Sequence, residues 1–158
     1  MMMRTFFISL ALLTVSIVVK AQNVESFFEQ FRQHKNVVLV DVPKELLSLG
    51  LQVMGSKKGK QWADKIERLR ILSFDDASRS VRRKFKKAVK AFNWREYSEV
   101  IKDKTKYSET RIMTQGTDDI IRRLVICTTD EDDSALIIID GAISSNDIDS
   151  VLEEAKDL

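Results

Sequence analysis

Val24, Phe27, Phe28 and Phe31 fall at i, i+3, i+4 and i+7, so the spacing predicts a short amphipathic helix over Asn23 to Gln33, with Asn23 as its N-cap. The period then changes. Asn36 to Asp41 holds four branched apolar residues in a row, Val37 to Val40, the pattern of a strand buried on both faces. Pro43 suits the first turn of a helix running to about Met54, where its missing N–H has no partner to lose, and Gly55 supplies a stop. Gly50 inside that helix costs about 1 kcal/mol relative to alanine, which hints at close packing or a break. Ser56 to Lys60 is a polar connection. Ile66 to Phe74 mixes Leu69, Ile71, Leu72 and Phe74 with Arg68 and Arg70, a strand with one partly wet face.

Asp75 and Asp76 offer caps for the next helix, Ala77 to Phe92, whose apolar stripe is Val81, Phe85, Ala88 and Phe92 and whose terminator is Asn93. From Trp94 the pattern is strand-like: Tyr97 to Lys102, Tyr107 to Gln115, Asp119 to Thr128 and Ser134 to Asp140 form a four-stranded meander with short polar connections. Leu124 to Cys127 and Ala135 to Ile139 are nearly continuous apolar runs, which places them at the sheet centre, covered on both faces. Gly141 follows in a turn. Ser144 to Asp147 then opens a last helix carrying Ile148, Val151, Leu152 and Ala155. The expected architecture is α+β: a mainly antiparallel sheet of about five to six strands covered by about four helices.

Residues 1–21 stand apart from this domain. Arg4, an uncharged and mostly apolar run from Thr5 to Val19, and Val19-Lys20-Ala21 have the three parts of a cleavable export signal. The run of 15 residues is shorter than the roughly 20 that a membrane-crossing helix needs, so removal after Ala21 is expected, leaving a single domain over 22–158 with no transmembrane span. Arg4 and Lys20 leave with it. The chain's formal charge of +2 therefore falls to zero, which gives no overall field to gather nucleic acid. One cysteine, Cys127, allows no internal disulfide and stands far from the expected cut, so no lipid anchor is expected. The expected compartment is periplasmic or extracellular.

The leader, the phenylalanine-rich first helix, the strand ending at Val42-Pro43-Lys44, and the closing runs Leu124-Val125-Ile126 and Ile137-Ile138-Ile139-Asp140-Gly141 together carry a resemblance. The chain resembles the exported bacterial proteins of the domain of unknown function 4252 family over nearly the whole length after the leader. Members often look like lipoproteins with a cysteine at the signal cut, a feature this chain lacks. The resemblance implies compartment and fold and brings no catalytic residues.

Residue chemistry points away from catalysis. Zinc sites need several Cys or His side chains, and Cys127 and His34 lie on different elements. His34, just past a helix end, reads as a cap or an exposed residue, and Cys127 as a buried structural thiol whose apolar neighbours raise its pKa. No glycine-dense phosphate loop is present. Asp130 to Asp133 places four carboxylates in one turn without the spacing of a calcium loop, and reads as a solvated turn, as does Asp118-Asp119. No catalytic residue, cofactor or metal site is expected; a metal-independent hydrolase stays as an alternative only because Asp, Glu, Lys and Tyr suffice for acid–base chemistry.

The strongest anomaly is the basic helix 77–92. Arg79, Arg82, Arg83, Lys86, Lys87 and Lys90, with Lys84, surround its apolar stripe. So many cations repel one another, and exposed helices ordinarily intersperse signs. These residues are the candidate interaction surface, for an envelope protein partner or for an anionic lipid surface or other polyanion. The plainer reading is a solvated face with alkyl stems lying over the sheet edge. The expected function is that of an exported, non-catalytic binding or protein-interaction module.

Overall fold

Asn23 ends the expected first helix as predicted: its Oδ1 accepts the Ser26 N–H at 2.7 Å, and α1 runs Val24–Arg32 with Val24, Phe27, Phe28 and Phe31 all buried. The computed structural model describes residues 23–53 and 64–148. The leader over 1–21, the stop at Gly55, the connection 56–60 and the closing helix past Ile148 lie outside the described residues. Asn36 has φ 63°, in the left-handed region that asparagine tolerates, so the chain turns there and the first strand starts two residues later than expected.

Six strands, β1 (Val38–Pro43), β2 (Ile66–Ser73), β3 (Ser98–Lys104), β4 (Glu109–Gly116), β5 (Ile120–Thr129) and β6 (Ser134–Ser144), form one antiparallel sheet in the order β1-β2-β6-β5-β4-β3. The last four are the expected meander, and the class is α+β. Helices α2 (Lys44–Val53) and α3 (Arg79–Ala91) complete the three α-helices among the described residues, followed by a 3-10 turn at Ser145–Asp147.

Several expectations are corrected. The Val37 to Val40 run is not buried on both faces: Val38, Leu39 and Val40 are 48, 39 and 41% exposed, because β1 is an edge strand with one neighbour. Pro43 closes β1 opposite Arg68 instead of opening α2; an edge strand tolerates a residue with no N–H to donate. The cap of α3 is Ser78, whose hydroxyl accepts the Val81 N–H at 3.3 Å, because Asp75 and Asp76 sit in a turn closed by Ala77 N–H on the Phe74 carbonyl. Asn93 is not left-handed. Phe92 is already extended at the helix end, and the Trp94 indole N–H donates to the Val89 carbonyl at 3.1 Å, occupying one of the terminal acceptors. Gly141 lies inside β6, beside an irregularity in the β2–β6 ladder. A Cβ there would fall against the Lys65 carbonyl oxygen, far inside van der Waals contact.

The central strands are buried on the face that meets α1 and α3; on the other face Leu124 is buried while Ile126, Ile137 and Ile139 are half-buried, so the cover expected on both faces is complete on one. Leu124 and Val125 are adjacent, point to opposite faces, and are both fully buried. On one face Val125, Cys127, Leu136, Ile138 and Met113 pack with α1 and α3, and Phe27, Phe31, Phe74, Phe85 and Phe92 interlock at ring centroid distances of 4.3 to 5.8 Å. On the other, Leu124, Ile112, Ile121, Ile143 and Ile148 form a second cluster. Val89, outside the expected stripe of α3, is buried as well, so the core-facing side of this helix is wider than the sequence period suggested.

Candidate functional site

With Phe85, Val89 and Phe92 locked into the core, α3 has one orientation, and its cations must face away from that core. Arg79, Arg83, Lys86 and Lys90 follow i, i+4, i+7 and i+11. At 100° and 1.5 Å per residue they form a row about 16 Å long within about 60° of arc. Arg79, Arg83, Lys87 and Lys90 are exposed and Lys86 is half-buried. Among the described residues none of these five is paired with a carboxylate.

Arg82 differs from the other candidates. Its guanidinium donates to the Ala77 carbonyl at 2.5 Å, to Asp75 at 3.4 Å and to Glu131 through Nε at 2.8 Å. It satisfies backbone acceptors of the turn before α3 and ties the β5–β6 loop to the helix. Its role is therefore within the fold, and five of the six candidates remain on the outer surface.

The Glu131 contact brings together two features that are far apart in sequence. The acidic turn Asp130 to Asp133 forms the second wall of a cleft of about 140 Å³ lined by Arg79, Arg82, Arg83, Lys86, Asp130 and Glu131. Asp130 is turned into its own loop, where Oδ1 accepts the N–H groups of Glu131 and Asp132. The Asp133 carboxyl is held above the ordinary aspartate range, first by its hydrogen bond with Asp75, then by burial and by the charges of Asp75 and Asp130. Among the described residues no three His, Cys, Asp or Glu side chains are grouped to hold a metal ion.

The other two chemically notable side chains lie apart from this cleft, on β5 and just past α1. Cys127 is 1% exposed, and burial pushes its thiol up to about 12, so no thiolate forms at neutral pH. His34 is half-buried with its ring 5.7 Å from that of Phe31.

One polar cluster joins residues that lie far apart along the chain. Arg70, 2% exposed, donates two hydrogen bonds to the Glu25 carboxylate at 2.5 and 2.8 Å and one to Asp140 at 2.8 Å, while its guanidinium lies 5.3 Å from the Phe28 ring centroid. Arg123 completes the ring, reaching Asp140 at 2.5 Å and Glu25 at 3.0 Å. The Glu25 carboxyl is lowered from its ordinary value, first by the Arg70 hydrogen bond. The cluster sets two guanidiniums against two carboxylates and clamps the first turn of α1 to β2, β5 and β6. Asp140, the one charge ending the apolar run of β6, was the available signal.

Among the described residues no helix is long and apolar enough to cross a membrane. A family model described as Domain of unknown function (DUF4252) matches residues 29–151. No curated protein matches the chain, and no solved structure does. Because that match runs from the middle of α1 past the end of β6 and covers well over half of the 158 residues, the chain belongs to the DUF4252 family.

Proposed function

We propose that the chain is an exported, non-catalytic interaction module, and that the outer face of α3 docks an acidic surface on an envelope protein. The observation that carries this reading is the unpaired row Arg79, Arg83, Lys86 and Lys90 on a helix fixed by its buried side. Preset charges gain contacts without the cost of ordering the backbone that bears them. A protein partner is favoured over insertion into lipid because an interfacial helix must offer apolar side chains to the acyl boundary, and Phe85, Val89 and Phe92 are already occupied in the core.

Retention on immobilised poly-glutamate at low salt is the first test. The double variant Lys87→Glu/Lys90→Glu should bind about tenfold more weakly or worse, corresponding to roughly 1.4 kcal/mol, with an unchanged unfolding midpoint. Equal retention of variant and wild type would remove the docking face. Export is tested separately by mass spectrometry of the amino terminus in cells: the expected first residue is Gln22 or its pyroglutamyl form, and a chain still beginning at Met1 would contradict it.

A further inference from the structure

The cleft between α3 and the β5–β6 loop carries both signs of charge, and its two walls have different freedom. Arg82 holds the loop to the helix through the Glu131 carbonyl, which sets the separation of the walls. Asp130 is engaged by the N–H groups of its own turn. The residues left to meet a ligand are Arg79, Arg83 and Lys86 on one wall and Glu131 on the other.

We propose that this cleft binds an aminoalkyl phosphate, with the phosphate on Arg79, Arg83 and Lys86 and the ammonium on Glu131. The proposal rests on the reading of the α3 basic face as a binding surface and names a ligand class for one end of it. With Arg82 and Asp130 engaged, a simple cation would meet three positive side chains and a plain anion would leave Glu131 unmatched, so a ligand with both charges suits both walls best. The six lining residues sum to +2, so the ligand's anionic end must be the stronger. Three cations on one wall exceed what a single carboxylate neutralises, and two guanidinium forks match the oxygen geometry of a phosphate. A volume of about 140 Å³ is well below the roughly 300–1,000 Å³ of pockets for drug-sized molecules, which restricts the occupant to a small group. Such a group occurs free in solution or as a phospholipid headgroup.

The test uses the full-length mature chain and O-phosphoethanolamine, with inorganic phosphate as the comparison, followed by calorimetry or amide shifts. Wild type should prefer O-phosphoethanolamine by about tenfold. Glu131→Gln should abolish that preference while keeping phosphate binding, and Arg83→Ala should weaken both ligands by about tenfold. Lys87→Glu/Lys90→Glu, which lies outside the cleft, should leave O-phosphoethanolamine binding unchanged, so a failure of the cleft is separable from a failure of the docking face. Vesicles with and without phosphatidylethanolamine distinguish the source: headgroup-dependent binding assigns the lipid, and binding of the soluble ligand alone assigns the free form. Failure to bind O-phosphoethanolamine in either form, or equal affinity for inorganic phosphate in wild type, would overturn the proposal.

Discussion

Replacing Arg70 with alanine is expected to lower the unfolding free energy by about 1.5–3 kcal/mol, because it empties a buried site and leaves Glu25 and Asp140 with Arg123 as their remaining partner in the cluster. Arg70 is the member of the cluster most withdrawn from water, and it touches both Glu25 and Asp140. Arg70→Met, which fills the volume without the charge, should lose less than alanine if packing beside Phe28 contributes. Urea unfolding at pH 7 measures both, and a loss below about 1 kcal/mol for alanine would mean that the cluster is not a clamp. The pH dependence has a definite sign. The Glu25 carboxyl is held below its ordinary value of 4.5, so its contribution to stability is complete above that value and is lost as pH falls through the lower, folded value. Removing Arg70 removes the first cause of that depression, so the acid side of the stability profile should become shallower in the variant.

Phe85→Ala is expected to cost about 3–5 kcal/mol by a different route, the loss of a fully buried ring and the cavity left behind. Phe85 stacks on Phe74 at 4.3 Å and meets Phe31 at 5.5 Å and Phe27 at 5.8 Å. It therefore joins α3 to α1 and to the end of β2 at one point, and few neighbours can collapse inward without breaking other ring contacts. The loss should appear in urea unfolding with little change in the denaturant slope. A cost under about 1.5 kcal/mol would show that the aromatic cluster repacks freely. Each of these two substitutions removes a large part of the roughly 5–15 kcal/mol typical of a domain.

Features carried by local periodicity were legible in the sequence. The Val24, Phe27, Phe28, Phe31 stripe and its Asn23 cap are set by residues within one or two turns, and the structure reproduces both. Leu124 to Cys127 and Ala135 to Ile139 sit at the centre of the sheet as their unbroken apolar runs required. The same signal misled at Val37 to Val40, because an apolar run specifies an extended chain and says nothing of how many strands will lie beside it. Pro43 shows a similar competition: a proline suits a first helical turn and a sheet edge equally, and only strand order decides. For the candidate site, the cations of α3 could be read directly, whereas the cleft could not, since Arg82 and Glu131 are 49 residues apart. The ion cluster was hidden for the same reason, with Glu25 and Arg123 98 residues apart.

Strand β6 ends as the bridge between two otherwise separate halves, with β1 and β2 on one side and the β3–β5 ribbon on the other. On a growing polypeptide that keystone emerges after the other five strands of the described residues, so a ribosome-bound fragment stopping before Ser134 holds two half-sheets with unmated borders. Closure of the sheet is thereby deferred until Ser134–Ser144 has emerged, and it hinges on one late insertion rather than on stepwise accretion from the amino terminus.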